Sequence, residues 1–287
     1  MKNKLALSAA VVTFFLALLI TLYPLISTAY NRQHQSQIHL QHQEQVEQAD
    51  NQALEAAWEL AEAYNAALVP GVQDLERFTP EQLEAAAEGY KDLLDIAGEG
   101  ILCYVTIPKL DVCLPVYHGT SDTVLELGLG HLLGTSLPIG GSSSHSVITG
   151  HSGLASQQLL SDLDQLEPGD VFYIEVLDKP LAYEVDQIKT VLPYETEDLQ
   201  IIPGQDYCTL VTCTPFGVNT HRLLVRGTRI PYEEASPDAE TAPTEPVTST
   251  WEQEYRNGIL IGLGIVGLLA IITVIIWRIW RRKFETL

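Results

Sequence analysis

Between Ile101 and Tyr232 the chain is written in short β-type runs, and no other property narrows its fold as far. The runs are Ile101 to Ile107, Val112 to Tyr117, Ser146 to Thr149, Val171 to Leu177, Leu181 to Val191, Tyr207 to Thr212 and His221 to Thr228. They are rich in β-branched and aromatic residues and are separated by Gly, Pro, Asn, Asp and Ser. Only Ser121 to Leu127 and Ser156 to Leu163 between them have a helical pattern. Seven or eight such strands within about 130 residues would leave exposed edges if laid flat, and closing the sheet removes them. The expected fold class is therefore mainly β, a closed or nearly closed β-barrel with short helices over 101–232.

What flanks this region is different in kind. Residues 31–100 read as a helical annex. Leu54, Trp58, Ala61 and Tyr64 recur at near-helical spacing, and Val69-Pro70-Gly71 stops that pattern. Thr79-Pro80-Glu81-Gln82 then has the make-up of a helix start, with a cap, a proline and a capping-box Gln, and opens a helix to about Ile96. Residues 5–30 are uncharged and mostly apolar, enough to span a bilayer at about 20 residues per crossing. Ser27-Thr28-Ala29 also fits a cleavage site, which leaves a signal peptide as the competing reading, but the apolar stretch exceeds a usual signal-peptide core. Residues 258–278 form a second expected span after a Pro- and Thr-rich linker, 233–257. Basic residues sit at both extremes, in tails 1–4 and 279–287, so both termini are expected in the cytoplasm and everything between the spans outside.

The formal charge of −21 is carried almost wholly by the outside part, where residues 31–256 hold ten Lys or Arg against thirty-six Asp or Glu. Such a surface repels phosphate backbones, so a nucleic-acid partner is excluded; it favours cationic or amine-bearing ones. The cysteines show no C-x-x-C or Cys/His cluster, and neither a metal nor another cofactor is expected. Cys103 and Cys113 bracket a hairpin turn at Pro108 to Asp111. An exterior location permits a Cys103–Cys113 disulfide, but pairing Ile107 with Val112 sets Cys103 opposite Val116 rather than Cys113, which weighs against it.

Chemistry concentrates in Tyr207 to Thr228. The first run delivers Cys213 to a Thr214-Pro215-Phe216-Gly217 turn, where side chains reach solvent, and the second carries Arg222 away from it. Side by side, these runs set a thiol that can attack a carbonyl across from a guanidinium that can hold the resulting oxyanion. Cys208, five positions before Cys213, falls on the other face of the strand and is expected to pack. His151 follows the apolar Val147-Ile148 pair and a glycine, which also places it at a strand mouth. Gly150-His151-Ser152-Gly153 lacks the full serine-hydrolase elbow.

Thr209-Leu210-Val211-Thr212-Cys213 followed by Arg222 resembles the TLxTC…R signature of the sortases, cysteine transpeptidases of Gram-positive cell surfaces, and Thr149-Gly150-His151 resembles their histidine motif. The likeness runs from about Ile101 to Tyr232. Its wording in GHLLGTSLPIGG (130–141) and TLVTCTPFGVNTHRLLVRG (209–227) is nearest class C, the pilin polymerases. The resemblance implies that Cys213 is the nucleophile, His151 the acid and base, and Arg222 the oxyanion or backbone holder, with Thr212 and Thr214 contacting substrate. It implies an LPXTG-like sorting signal as donor and a pilin lysine as acceptor, on a cell membrane. A housekeeping sortase that attaches surface proteins to the cell wall, and a non-catalytic surface binding module, are the alternatives. Class C relatives carry an Asp-Pro-aromatic lid in the annex; here Asp74 is followed by Leu75, with Phe78 the nearest aromatic.

Overall fold

The computed structural model describes residues 2–68, 89–152, 158–232, 257–262 and 264. Helix α1 covers Lys2–Gln48 and α2 covers Asn51–Ala67. The break between them falls where Asp50 leaves helical geometry and its carboxylate accepts the Gln52 N–H, an N-cap that satisfies a donor the new helix leaves unpaired. The apolar spacing noted in the annex is what packs: Leu54, Ala57, Trp58 and Tyr64 lie against the main core, and Ala61 is buried in it. Most of the helix expected from Thr79 to Ile96, together with the lid-equivalent segment 74–78, lies outside the described residues; of that helix, residues 89 and 90 are helical and 91–94 are a turn. Among the described residues no helix is long and apolar enough to cross a membrane. The span expected at 5–30 rests largely on side chains outside those described, and that at 258–278 almost wholly on residues outside them.

The strands are β1 (Ile101–Ile107), β2 (Val112–His118), β3 (Leu129–His131), β4 (Ser144–Thr149), β5 (Val171–Val176), β6 (Lys179–Val191), β7 (Asp206–Thr214) and β8 (His221–Ile230). They close into a barrel in the order β1-β2-β3-β4-β7-β8-β6-β5, with β2–β3 and β4–β7 parallel and the other pairs antiparallel. All seven runs read from the sequence are strands. The eighth, β3, is too short for period-two alternation to register, and it exists because Gly130 lets the chain pass against the Gly119 carbonyl, where a Cβ would approach to 2.3 Å. Helix α3 (Asp122–Leu127) begins where Ser121 caps the Val124 N–H. The helix expected at Ser156 to Leu163 is not formed among the described residues. Residues 159–162 are a turn followed by a 3-10 turn, Leu163–Gln165, because Leu159 adopts a positive φ that an α-helix cannot contain.

Alternation along the strands sorts the apolar residues into two bodies. Val105, Ile107, Val116, Phe172, Ile174, Val185, Cys208, Leu210 and Val225 fill the barrel interior. Val147, Val211 and Leu224 face the other way and form a smaller cluster with Leu199, from the β6–β7 connection, and with Leu132 and Val191 at its edge. Neighbouring strands therefore carry an apolar patch on their outer face as well, under the β6–β7 connection. The β1–β2 register is the expected one, Ile107 with Val112 and Cys103 with Val116. Cys103, Cys113, Cys208 and Cys213 are all free thiols.

Candidate active site

The outer apolar patch is the floor on which the candidate residues stand. Strand β7 alternates Cys208 and Leu210 inward with Thr209 and Val211 outward, so Cys213 continues the outward row at the end of the strand. In β8 Leu224 is outward, and Arg222 continues that row. Cys213 and Arg222 are direct partners across the β7–β8 ladder. Both are half-buried. The turn between them carries the cis Thr214-Pro215 peptide, and the Val218 and Asn219 N–H groups both donate to the Pro215 carbonyl. The Arg222 guanidinium is tethered to this turn, its Nη1 donating to the carbonyls of Asn219 at 3.3 Å and His221 at 3.1 Å. Its Nε and Nη2 donors have no hydrogen-bond partner among the described residues.

His151 arrives from β4. The β4–β7 pair is parallel with Thr149 opposite Val211, and three hydrogen bonds extend that match past the strand end. The Gly150 N–H donates to the Val211 carbonyl at 3.0 Å, the Thr149 hydroxyl donates to the same carbonyl at 3.2 Å, and the Thr212 hydroxyl donates back to the Gly150 carbonyl at 2.9 Å. Extended two places past the end of the ladder, that register would set His151 next to Cys213. Gly150 lies close over Leu129 and Leu160: a Cβ there would meet Leu129 Cδ2 at 2.5 Å, so a larger residue would have to displace that side chain. Thr212 is buried with its hydroxyl committed to this strap, whereas Thr214 is half-buried at the strand end. Of the two threonines expected to contact substrate, Thr214 is the more accessible.

Four other histidines of the barrel region have hydrogen-bond partners. His131 is fully buried with Nδ1 2.7 Å from the Tyr90 hydroxyl and Nε2 2.8 Å from the Ser136 carbonyl, and burial lowers its pKa to about 4. His145 lies between the Gln200 carbonyl and the Thr209 hydroxyl, and burial also lowers its pKa. The His118 nitrogens face the carbonyls of Gly100 and Leu93, and His221 Nδ1 faces the Thr220 hydroxyl. The ring of His151 is half-exposed and makes no hydrogen bond among the described residues. Cys208 is likewise the wrong thiol, since complete burial pushes its pKa well above the usual value. No group of three or more His, Cys, Asp or Glu among the described residues is arranged to hold a metal.

A half-buried cysteine at a strand end, a histidine with no hydrogen bond among the described residues and an arginine, carried by adjacent strands, have the make-up of a cysteine enzyme built on a closed β-barrel. Comparison with known proteins names the group more narrowly. A sortase-domain family model matches residues 105–230. Sortase A of Streptococcus agalactiae is 30% identical over 113 residues, 38% of this chain and 45% of that protein. Sortase SrtE1 of Streptomyces coelicolor is 32% identical over 150 residues, 46% of this chain and 42% of that protein. The chain thus spans somewhat under half the length of these curated relatives. Among solved structures, sortase C1 of Streptococcus agalactiae superposes with a TM-score of 0.61 at 44% identity, covering 67% of this chain and 97% of that one. Sortase C of Streptococcus pneumoniae does so with a TM-score of 0.61 at 46% identity, covering 68% and 97%. The chain belongs to the sortase family, and these solved neighbours are class C enzymes.

Proposed function

We propose that this chain is a class C transpeptidase, in which Cys213 is the nucleophile, His151 the proton carrier and Arg222 the oxyanion holder. The Cys213 sulfur attacks the Thr–Gly carbonyl of an LPXTG-like sorting signal while Arg222 donates to the developing oxyanion. The C–N bond breaks, His151 hands a proton to the departing glycine amine, and a thioester joins the substrate to Cys213. A lysine amine then attacks that carbonyl and gives a proton to His151, and the thiolate leaves as an isopeptide bond forms. The observation that carries the reading is the pairing of Cys213 with Arg222 beside the strapped end of β4 that leads to His151. The uncommitted Nε and Nη2 of Arg222 support its role, because an oxyanion needs donors not already used by the protein.

The Streptococcus pneumoniae structure is described in terms of pilin substrate specificity, and another neighbour, 42% identical with a TM-score of 0.56, as a pilus-related sortase C of Group B Streptococcus. On that basis both donor and acceptor here are pilins, with other surface proteins that bear a sorting signal as further donors. Segments 5–30 and 258–278 hold the enzyme in the cell membrane with the barrel outside, and the acidic surface suits an amine-bearing acceptor. The test uses full-length protein in detergent, mixed with a pilin that carries its sorting signal. A covalent ladder whose links map to lysine is expected. Attachment to a cell-wall precursor alone would favour the housekeeping alternative, and no acyl-enzyme on Cys213 would remove the enzymatic reading.

A further inference from the structure

The segment between β3 and β4 is irregular by its own bonding, yet it runs along β4 as an added strand. The Leu132 N–H donates to the Val147 carbonyl at 2.9 Å, and the Ser136 N–H donates to the His145 carbonyl at 3.0 Å. In the other direction the His145 N–H donates to the Ser136 hydroxyl at 3.0 Å, and the Val147 N–H donates to the Thr135 hydroxyl at 3.3 Å. This edge matters because β3 pairs with β4 only at its last two residues, Thr149 with Gly130 and Ile148 with His131. On one side, then, the strand that leads to His151 is aligned by 132–137; on the other it is aligned by β7.

Two annex residues grip this segment, one from each helical stretch. Asn65 of α2 uses both ends of its amide on one residue, the side chain accepting from the Leu137 N–H at 2.7 Å and donating to the Leu137 carbonyl at 3.2 Å. That is the pattern by which one strand residue holds another. Tyr90 works through His131. The Nε2–H of His131 donates to the Ser136 carbonyl, with the Thr135 hydroxyl at 3.1 Å sharing it, since the Thr135 hydroxyl hydrogen already goes to the Leu132 carbonyl. The remaining nitrogen, Nδ1, is left with its lone pair and accepts from the Tyr90 hydroxyl at 2.7 Å, while Tyr90 in turn accepts the Gly119 N–H at 3.2 Å. Every member is buried or partly buried and every donor has an acceptor, so the network specifies one arrangement.

We propose that Asn65 and Tyr90 are positioning residues for transpeptidation, holding β4, and with it His151, in register beside Cys213 through His131 and residues 132–137. The inference rests on the assignment of His151 and Cys213 given above. It assigns the annex a part in the reaction itself: the barrel supplies the reacting groups, and the annex sets the spacing between the strands that carry them. Catalytic geometry is sensitive to such spacing, because a displacement of about 1 Å can cost on the order of a hundredfold in rate.

The test compares full-length wild type in detergent with Tyr90→Phe, Asn65→Leu and the double variant. A sorting-signal peptide and a lysine-bearing acceptor peptide are the substrates, and rates are normalised to active sites titrated by acyl-enzyme formation. Tyr90→Phe keeps the ring packed against Tyr64 and His118 and removes only the hydroxyl. Each single variant is expected to lose about tenfold in kcat with KM changed by less than about twofold, and the double variant to lose little more than the worse single, because both act through one segment. Asn65→Asp keeps the acceptor for the Leu137 N–H and should restore part of the loss seen with leucine. A kcat per titrated site equal to wild type in both single variants overturns the proposal, as do losses that multiply independently. If wild type itself forms no acyl-enzyme, the functional assignment fails instead, and the two failures are told apart by that control.

Discussion

A contact inside the barrel and a contact on its outer wall are held together in opposite ways. At the β4–β7 mouth, adjacent strands are joined by backbone amides and by two threonine hydroxyls, Thr149 and Thr212, whose bonding does not change with pH. On the β1 and β5 wall, helix α1 is held by groups that titrate. His39 Nε2 lies 3.3 Å from Glu175 Oε2, Gln43 donates to Glu175 Oε1 at 2.9 Å, and the rings of His39 and His42 pack on Tyr104 at 4.4 and 5.4 Å. The contrast fits what each contact must do. In the proposed reaction the spacing of thiol, imidazole and guanidinium must survive proton transfer, whereas a docking helix has no such requirement.

The largest effect separates the two cysteines of β7. Cys213→Ala is expected to remove transpeptidation by roughly a thousandfold or more while the fold stays intact, since the residue stands at a strand end. Cys208→Ala is expected to keep most activity and to cost stability on the order of 1 kcal/mol through a small interior void. Steady-state rates and thermal midpoints of the two variants check this, and the reverse pattern would reassign the nucleophile.

Next comes Arg222→Lys. The charge remains, but one ammonium cannot keep both turn carbonyls and still offer a planar pair of donors to an oxyanion. Loss of such a contact is worth roughly 2.7–4 kcal/mol, so acylation should slow by about a hundredfold or more. Acylation near the wild-type rate would leave Arg222 a structural role at the turn.

The strap is probed by Thr212→Val against Thr212→Ser. Valine matches the shape of threonine and leaves the buried Gly150 carbonyl without its donor, at a cost of about 1–3 kcal/mol. Serine restores the hydroxyl and should recover most of both stability and rate. If Thr212 instead served only substrate, valine would raise KM and leave the thermal midpoint unchanged.

The sequence made the barrel legible wherever a strand was long enough to alternate; the Thr-Pro-Phe-Gly turn put Cys213 and Arg222 on the two strands it joins, and the resemblance to TLxTC…R singled them out for the role proposed here. It left β3 hidden because three residues are too few to alternate, and the 132–137 segment hidden because its pairing depends on Tyr90 and Asn65, which lie far away along the chain. The role of Thr212 was hidden for a related reason: a threonine beside a nucleophile is chemically able to face substrate or a neighbouring strand, and only the β4–β7 register separates those uses. His131 and His145 are buried and hydrogen-bonded, which the sequence alone does not reveal.

The smallest effect belongs to the titrating wall, where the sign can be worked out. Burial lowers the pKa of His42 below the ordinary 6.5, and His39 adds to that, against opposing pulls from Glu99, Asp95 and Glu175. A histidine with a depressed value in the docked state favours docking above pH 6.5, and the benefit is lost as pH falls from 6.5 through the docked-state value. Glu175 is lowered below 4.5, first by its hydrogen bond with His39 and also by Gln43, so its contribution is present above 4.5 and is lost on further acidification. Both groups therefore loosen α1 in acid, His42 in the earlier window and Glu175 in the later one. Amide exchange in residues 38–48 of the full-length protein should speed up between pH 7.5 and pH 5.5, after correction for intrinsic exchange, by no more than about tenfold per pH unit for the single proton His42 takes up. His42→Leu keeps the residue apolar and should flatten that dependence, while transpeptidation per titrated site at pH 7.5 stays as in wild type. An unchanged pH dependence in His42→Leu would move the loosening to another group on this wall.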